Sequence, residues 1–386
     1  MYSDNQQKVF AIFSAQYPPH VGGVESFTDR LSHALANRGN RVVVITNATD
    51  GMEGISEEDG ISVYRLPCFP LIGGRLPLPK ICKQRSEMLR EIRSMPLDGV
   101  LINTRFYPHS FTGMRLSRKR GLTPVILDHG SAYLTFGSPV LDVFIRCYEH
   151  IVTALGKPYK AKYYGISEKS SEWLRVFGIK SSGEIPNSID AIDYRESRSE
   201  RSFREELSIS KSSLLVAYIG RLIPEKGIKV LLDTASNMQE ETCEVDFVFA
   251  GSGPLLDEVV TAGDNVHYAG RLGQPDVAAL LCEADCMCLP SRSEGFATCL
   301  LEAAACEASI VTTDVGGARE ILPNAEYGTI LSELSVDAVT RVLLDIREKR
   351  ADYRLKSKRC FERVAHDYSW DKTAEQLEHI LDNKYW

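Results

Sequence analysis

Ser291-Arg-Ser-Glu-Gly-Phe-Ala-Thr-Cys-Leu-Leu-Glu302 sets two carboxylates, Glu294 and Glu302, eight residues apart, with a glycine directly after the first. The run before it, Asp285-Cys-Met-Cys-Leu-Pro290, reads as a short apolar strand stopped by proline. The run after it, Cys299-Leu-Leu-Glu-Ala-Ala-Ala-Cys306, is made of strong helix formers. Glu294 is therefore expected in a strand-to-helix turn, with Glu302 two turns along the helix at ~1.5 Å per residue. Open α/β sheets bind ligands at such turns, beside helix N-termini rich in free N–H groups. Taken alone, two solvated glutamates on a surface helix would be the ordinary reading.

Other segments change that balance. Val216-Ala-Tyr-Ile-Gly-Arg-Leu-Ile-Pro-Glu-Lys-Gly227 is a strand followed by a turn with two cations, and Phe249-Ala-Gly-Ser-Gly-Pro254 is a further strand-turn. Ile310-Val-Thr-Thr-Asp-Val-Gly-Gly-Ala-Arg-Glu320 adds another strand and a Gly-Gly loop. In order and spacing, these four segments resemble the Glu-x7-Glu signature and its companions in the retaining glycosyltransferases of family 4. The resemblance implies an α/β chain of two Rossmann-like doubly wound domains facing a central cleft (the GT-B fold). It also implies a last helix that crosses back to the N-terminal domain.

Length agrees with two domains, since 386 residues exceed what one core usually serves. Lys8-Val-Phe-Ala-Ile-Phe-Ser14, the glycine loop after it, a helical pattern over 26–38 and Arg41-Val-Val-Val-Ile-Thr46 open a doubly wound domain. Further strands are expected at 62–66, 99–103, 124–127 and 163–166. Residues 66–79 hold so many prolines and glycines that they read as a long loop or lid. The pattern breaks near Ile185-Pro-Asn-Ser-Ile-Asp190, and a second strand-helix series runs from 214 to about 346. The expected domains are thus 1–190 with 369–386, on the acceptor side, and 191–368, binding the donor. Closure of the two by hinge motion near 188–196 and at the crossing before Ser369 is expected from that division.

Composition narrows the class. Charged residues at 25% and apolar ones at 44% describe a soluble globular chain. No apolar run approaches ~18 residues, and the start lacks the basic and apolar regions of a secretory leader, so a cytoplasmic location is expected. The ten cysteines should then stay reduced. Cys282, Cys286 and Cys288 fall in an apolar helix end and strand rather than in looped zinc-binding pairs. Residues 1–190 carry 23 Lys+Arg against 18 Asp+Glu, whereas the remainder carries 22 against 34. The basic side concentrates in residues 75–93 and 115–120, which read either as solvated helix faces or as a surface for anionic membrane or phosphorylated acceptor. The net charge of −7 and the lack of a recognised motif disfavour nucleic acid.

Arg221 and Lys226, behind a strand, suit a diphosphate: one planar fork and one point charge. The resemblance places the donor phosphates there, with Gly220, Gly251 and Arg271 as further donor contacts. It gives the sugar to Glu294, Gly295, Phe296 and Ala297, and the ribose hydroxyls to Glu302. Gly22 and Gly23 match its N-terminal glycine loop, and His129 its histidine near the reacting carbon. His20, Arg105, Ser167 and Asn187 are acceptor-side candidates, and His109 is a lesser loop candidate. No convincing Asp-x-Asp is present, so neither metal nor cofactor is expected; cations and helix N-termini can neutralise a leaving diphosphate.

The resulting expectation is a retaining, metal-independent transferase using a nucleotide diphosphate sugar, with UDP favoured. Its acceptor would be a glycan or lipid-linked acceptor at the inner membrane face in cell-surface polysaccharide assembly. A GDP-mannose-dependent enzyme and a non-catalytic glycan-binding paralogue are the alternatives. An epimerase or phosphorylase of the same architecture lacks its own motif, and Gly251-Ser-Gly-Pro-Leu-Leu departs from the dehydrogenase fingerprint. Retention could run through a covalent carboxylate intermediate, with Glu294 as the nominee, or on one face with the departing phosphate helping to deprotonate the acceptor. The resemblance implies the second.

Overall fold

Five consecutive apolar residues, Val9–Phe13, form strand β1, and every one of them is buried. Such runs, apolar on both faces, belong to parallel sheets covered by helices on each side. A computed structural model describes residues 7–134, 139–240 and 244–382 of the chain. Residues 1–6 of the start and 383–386 of the last segment lie outside the described residues. The chain divides into two compact units, 1–187 with 370–386, and 188–369.

In the first unit β1 is joined by β2 (Arg41–Asn47), β3 (Gly54–Glu58) and β4 (Ile61–Leu66). A hairpin of β5 (Cys68–Leu71) and β6 (Leu76–Pro79) precedes β7 (Gly99–Asn103), β8 (Val125–Asp128) and β9 (Lys162–Gly165). The sheet runs β3-β4-β2-β1-β7-β8-β9, parallel except for β3 at the edge. Its order reverses between β1 and β7. Helices α1 (Gly23–Asn37), α2 (Lys83–Ser94), α3 (Pro108–Lys119) and α4 (Pro139–Gly156) follow in chain order. Strand β3 was not expected; it hairpins onto β4 through Asp59 and Gly60, both with positive φ, a pairing that suits a tight turn.

Residues 66–79 correct the sequence reading. They form the β5–β6 ribbon rather than an irregular loop, with Pro70 opposite Pro77 and Cys68 opposite Pro79. These are alternate pairs of an antiparallel ladder, and at its non-hydrogen-bonded pairs a proline's missing N–H costs nothing. Counting prolines without their register hides this.

The final helix, Trp370–Asp382, belongs to the first unit, as the resemblance implied. Arg38 at the end of α1 bridges Asp371 at 2.7 Å and Glu378 at 3.1 Å. Trp370 meets Phe27 of α1 edge-on at 5.5 Å.

The second unit carries β10 (Leu214–Ile219), β11 (Val245–Ala250), β12 (Val266–Gly270), β13 (Cys286–Leu289), β14 (Ser309–Thr312) and β15 (Thr329–Ile330). Their order is β12-β11-β10-β13-β14-β15, and the described pairings are parallel. Cys286 and Cys288 are buried within β13, and burial pushes both thiols up, that of Cys288 to about 12. No helix among the described residues is long and apolar enough to cross a membrane.

Candidate active site

In the second unit the strand order reverses between β10 and β13, the place where open α/β sheets leave a crevice for ligands. The loop after β10 brings Gly220, Arg221 and Lys226 there, and the loop after β13 brings Glu294, Gly295, Phe296 and Ala297. Lys226 Nζ forms an ion pair with Glu294, the two side chains being only 15% and 13% exposed. The cation read for phosphate and the carboxylate read for sugar are thus adjacent.

Backbone packing holds this pair. Gly227 has φ +74°, and a Cβ there would lie 2.0 Å from the Pro290 carbonyl oxygen. The Arg292 N–H donates to Glu225 O at 2.8 Å, and Ser291 Oγ to the same oxygen at 3.3 Å. Gly251, after β11, has φ +147°, and a Cβ there would come 1.8 Å from Gly220 O. Only glycine lets these turns touch. The Tyr218 hydroxyl donates to Arg221 O at 2.8 Å, leaving the exposed Arg221 side chain to reach from a fixed base.

Glu302 sits on the helix Thr298–Ala305, which begins at Ala297 without a side-chain cap. Its first N–H groups are therefore open to an oxyanion ligand. Arg271 follows the edge strand β12 and is separated from the β10–β13 crevice by β11. Among the described residues no group of three or more His, Cys, Asp or Glu side chains could hold a metal ion. Such an arrangement can bind a diphosphate and a polyol through cations, amides and carboxylates.

In the first unit the loops after β1, β7, β8 and β9 carry the N-terminal candidates. His129 follows β8; its Nε2 lies 3.0 Å from Asn103 Oδ1, and its ring meets Phe27 edge-on at 5.1 Å. Asn103 spends its amide nitrogen on Thr28 Oγ1 at 2.8 Å, so its oxygen faces the histidine. The proton therefore sits on Nε2, and Nδ1 keeps its lone pair. Burial pushes His129 down to about 3, which makes it a neutral hydrogen-bonding group at pH 7 rather than an acid. Asn103 and Thr28 escaped the sequence reading. The signal was there for Asn103, a polar residue ending an apolar strand like His129 itself.

Gly22 caps α1 with extended backbone, and a Cβ on Gly23 would meet no protein atom within 4 Å. His20 accepts from Gln16 Nε2 at 3.0 Å, and the same amide donates to Gly74 O at 3.1 Å in the β5–β6 turn.

Several candidates are placed differently from expectation. Arg105 is buried, with a 1% exposed side chain, pairing with Asp128 and with Glu149 at 2.8 Å; an acceptor has no access to it. Ser167 is buried and caps the helix Glu168–Trp173, its Oγ accepting from Ser170 N at 3.2 Å. Asn187 is buried at the last residue before the division between units. His109 lies in α3 rather than a loop, where it donates from Nε2 to Ile45 O at 2.9 Å. Arg85, counted among the surface cations, is buried and donates to Pro67 O at 3.0 Å.

The two depressed histidines set an acid limit. Burial holds His109 at about 4, whereas an unfolded histidine titrates near ~6.5. Between those values the unfolded chain binds a proton that the folded one refuses, so stability rises with pH and is lost as pH falls below ~6.5. Lowering the pH from 7 to 5 should cost roughly 2 kcal/mol through His109 alone, with His129 adding to it. Urea unfolding at both pH values checks this; an unchanged difference in the His109→Gln, His129→Asn double variant would overturn it.

Comparison with known proteins places this geometry. Residues 21–191 match the model of Glycosyltransferase Family 4, and residues 199–360 that of Glycosyl transferases group 1. The chain belongs to the family 4 glycosyltransferases. The glycosyltransferase is 27% identical over 392 residues to the phosphatidylinositol N-acetylglucosaminyltransferase GPI3 subunit of Saccharomyces cerevisiae, covering 95% of this chain and 80% of the relative. Among solved structures it is similar in fold to sucrose-phosphate synthase from Thermosynechococcus elongatus, at 19% identity and TM-score 0.73, covering 97% and 98% of the two chains. HepE of Anabaena, in complex with UDP and glucose, matches at 16% identity and TM-score 0.73, over 98% of this chain and 100% of HepE. These likenesses show the GT-B fold of two Rossmann-like domains for the glycosyltransferase.

Proposed function

We propose that this glycosyltransferase moves a hexose from a nucleoside diphosphate sugar, UDP-linked by preference, with retention at the anomeric carbon and without a metal. The observation that carries the reading is the Lys226–Glu294 pair beside Arg221 at the β10–β13 crossover. Two cations there neutralise the diphosphate as the glycosidic bond breaks, and Glu294 with the backbone of Gly295 and Phe296 holds the sugar, the Ala297 N–H being donated to Gly316 O at 3.0 Å. Glu302 takes the ribose diol as a bidentate acceptor. The UDP bound by the similar HepE fold supports the choice of base.

His129, neutral with a fixed tautomer, can accept from a sugar hydroxyl through Nδ1 but cannot protonate a leaving group. Proton removal from the acceptor then falls to the departing phosphate, which supports the same-face route over a covalent one. The likeness to a phosphatidylinositol N-acetylglucosaminyltransferase supports a lipid-linked acceptor. Exposed Lys80, Lys83, Arg90 and Arg93 support presentation of it at an anionic surface; neutralising the four together should weaken binding to anionic vesicles, and unchanged vesicle binding would return them to solvated helix faces. Transfer or donor hydrolysis measured with UDP-sugars should persist in excess chelator. Abolition by chelator with rescue by magnesium or manganese would overturn the metal-free reading.

A further inference from the structure

Between α2 and α3 of the first unit lies a cavity of about 460 Å³, within the ~300–1,000 Å³ typical of small-molecule pockets. Its floor is apolar: Phe13, Leu89, Ile92, Phe111 and Val152 line it. Arg85, Arg93, Arg115 and Lys119 also line it, and no acidic residue does. Arg85 is buried, whereas Arg93, Arg115 and Lys119 are exposed at its edge. The two acids of α2 are engaged elsewhere, Glu91 accepting from Tyr64 at 2.6 Å and Glu87 facing Lys83 at 3.8 Å.

An apolar cavity draws a hydrocarbon tail out of water, while clustered cations without a carboxylate favour an anion at the tail's end. Helix α4 continues the apolar character. It supplies Tyr148 and Val152 to the cavity, and exposes Val140, Phe144, Ile151 and Leu155 at helical spacing along a neighbouring face. Phe144 is 68% and Ile151 60% exposed. A water-soluble ligand has no use for such surroundings; an amphiphile does.

We propose that this cavity binds an anionic amphiphile, with an aliphatic chain on the apolar floor and a phosphate-type head group against Arg93, Arg115 and Lys119. The proposal deepens the lipid-linked acceptor reading and rests on it for its meaning in the reaction, but the binding itself stands on the first unit alone.

Calorimetric titration of the full chain with dodecyl phosphate, below its micelle concentration, tests it. Dodecyl maltoside and inorganic phosphate serve as the tail-only and head-only probes. Dodecyl phosphate should bind one to one, at least tenfold tighter than either. The Arg93→Glu, Lys119→Glu double variant should lose at least tenfold, and Thr112→Trp, which fills the cavity from α3, should lose a similar factor. A UDP thermal-shift on each variant shows that the chain is folded and reads the donor site separately. In the wild-type chain, tight dodecyl phosphate binding without any UDP response would count against the donor reading and leave this one standing. Equal binding of the charged and neutral amphiphiles, equal binding of free phosphate, or variants that bind dodecyl phosphate like the wild type would each overturn the proposal.

Discussion

Lys226→Ala is expected to lower kcat by about a hundredfold or more, the usual cost of removing one group that stabilises transition-state charge. The site explains why the loss should fall on turnover more than on folding. Lys226 ends a single 3-10 turn, Pro224–Lys226, whose backbone is stitched to the neighbouring loop through Glu225 O and the glycine contact with Pro290. That scaffold survives removal of the side chain. What disappears is the ammonium group beside Glu294, leaving a mostly buried carboxylate without its cation, next to where the proposed diphosphate would depart. UDP affinity should fall less than kcat, because in the proposed site Arg221 and the first N–H groups of the helix Thr298–Ala305 would still meet the ground-state phosphates. Steady-state kinetics with an intact donor read the result, and wild-type turnover in the variant would sink the phosphate assignment.

Arg105→Ala should destabilise the first unit by about 3–5 kcal/mol by leaving buried carboxylates without their cation. Asp128 and Glu149 both face that guanidinium, and all three side chains are 1% exposed. Burial already raises the Glu149 carboxyl, against the Leu134 N–H that donates to it at 3.1 Å. The guanidinium also stacks 3.8 Å from the Phe177 ring, so truncation removes packing as well as charge. For a domain of this size such a loss lowers Tm by roughly 10 °C. The triple variant Arg105→Met, Asp128→Asn, Glu149→Gln should recover much of it, since it removes the stranded charges too. A melting temperature unchanged in Arg105→Ala would contradict the triad.

The contrast between these two residues shows what can be read along a chain. Lys226 and Glu294 each lie in short segments whose strand, turn and helix signals are local, and the glycines beside them mark the close approach of two loops. Arg105 also follows a strand, and by the same logic pointed outward. Its burial depends on Glu149, on a helix 44 residues downstream, which no local pattern reveals. His129 was legible as a strand-end residue, but its protonation was not, because Asn103 and Thr28 settle it from other elements. The proline-rich ribbon was misread for a related reason: its tolerance of proline lies in register, a property of two segments together.

The helix Trp370–Asp382 adds a constraint of another kind. Its thirteen residues pack on α1 and against β7, where a Cβ on Gly99 would lie 2.7 Å from Leu381 Cβ. The first unit is therefore discontinuous, with the whole of 188–369 lying between its two parts. On the ribosome, every residue of the second unit is available before the first can be completed. The half that starts the message is the half that finishes last, and until the final helix arrives its flank at Phe27 and Gly99 stays bare to whatever else is in the cell.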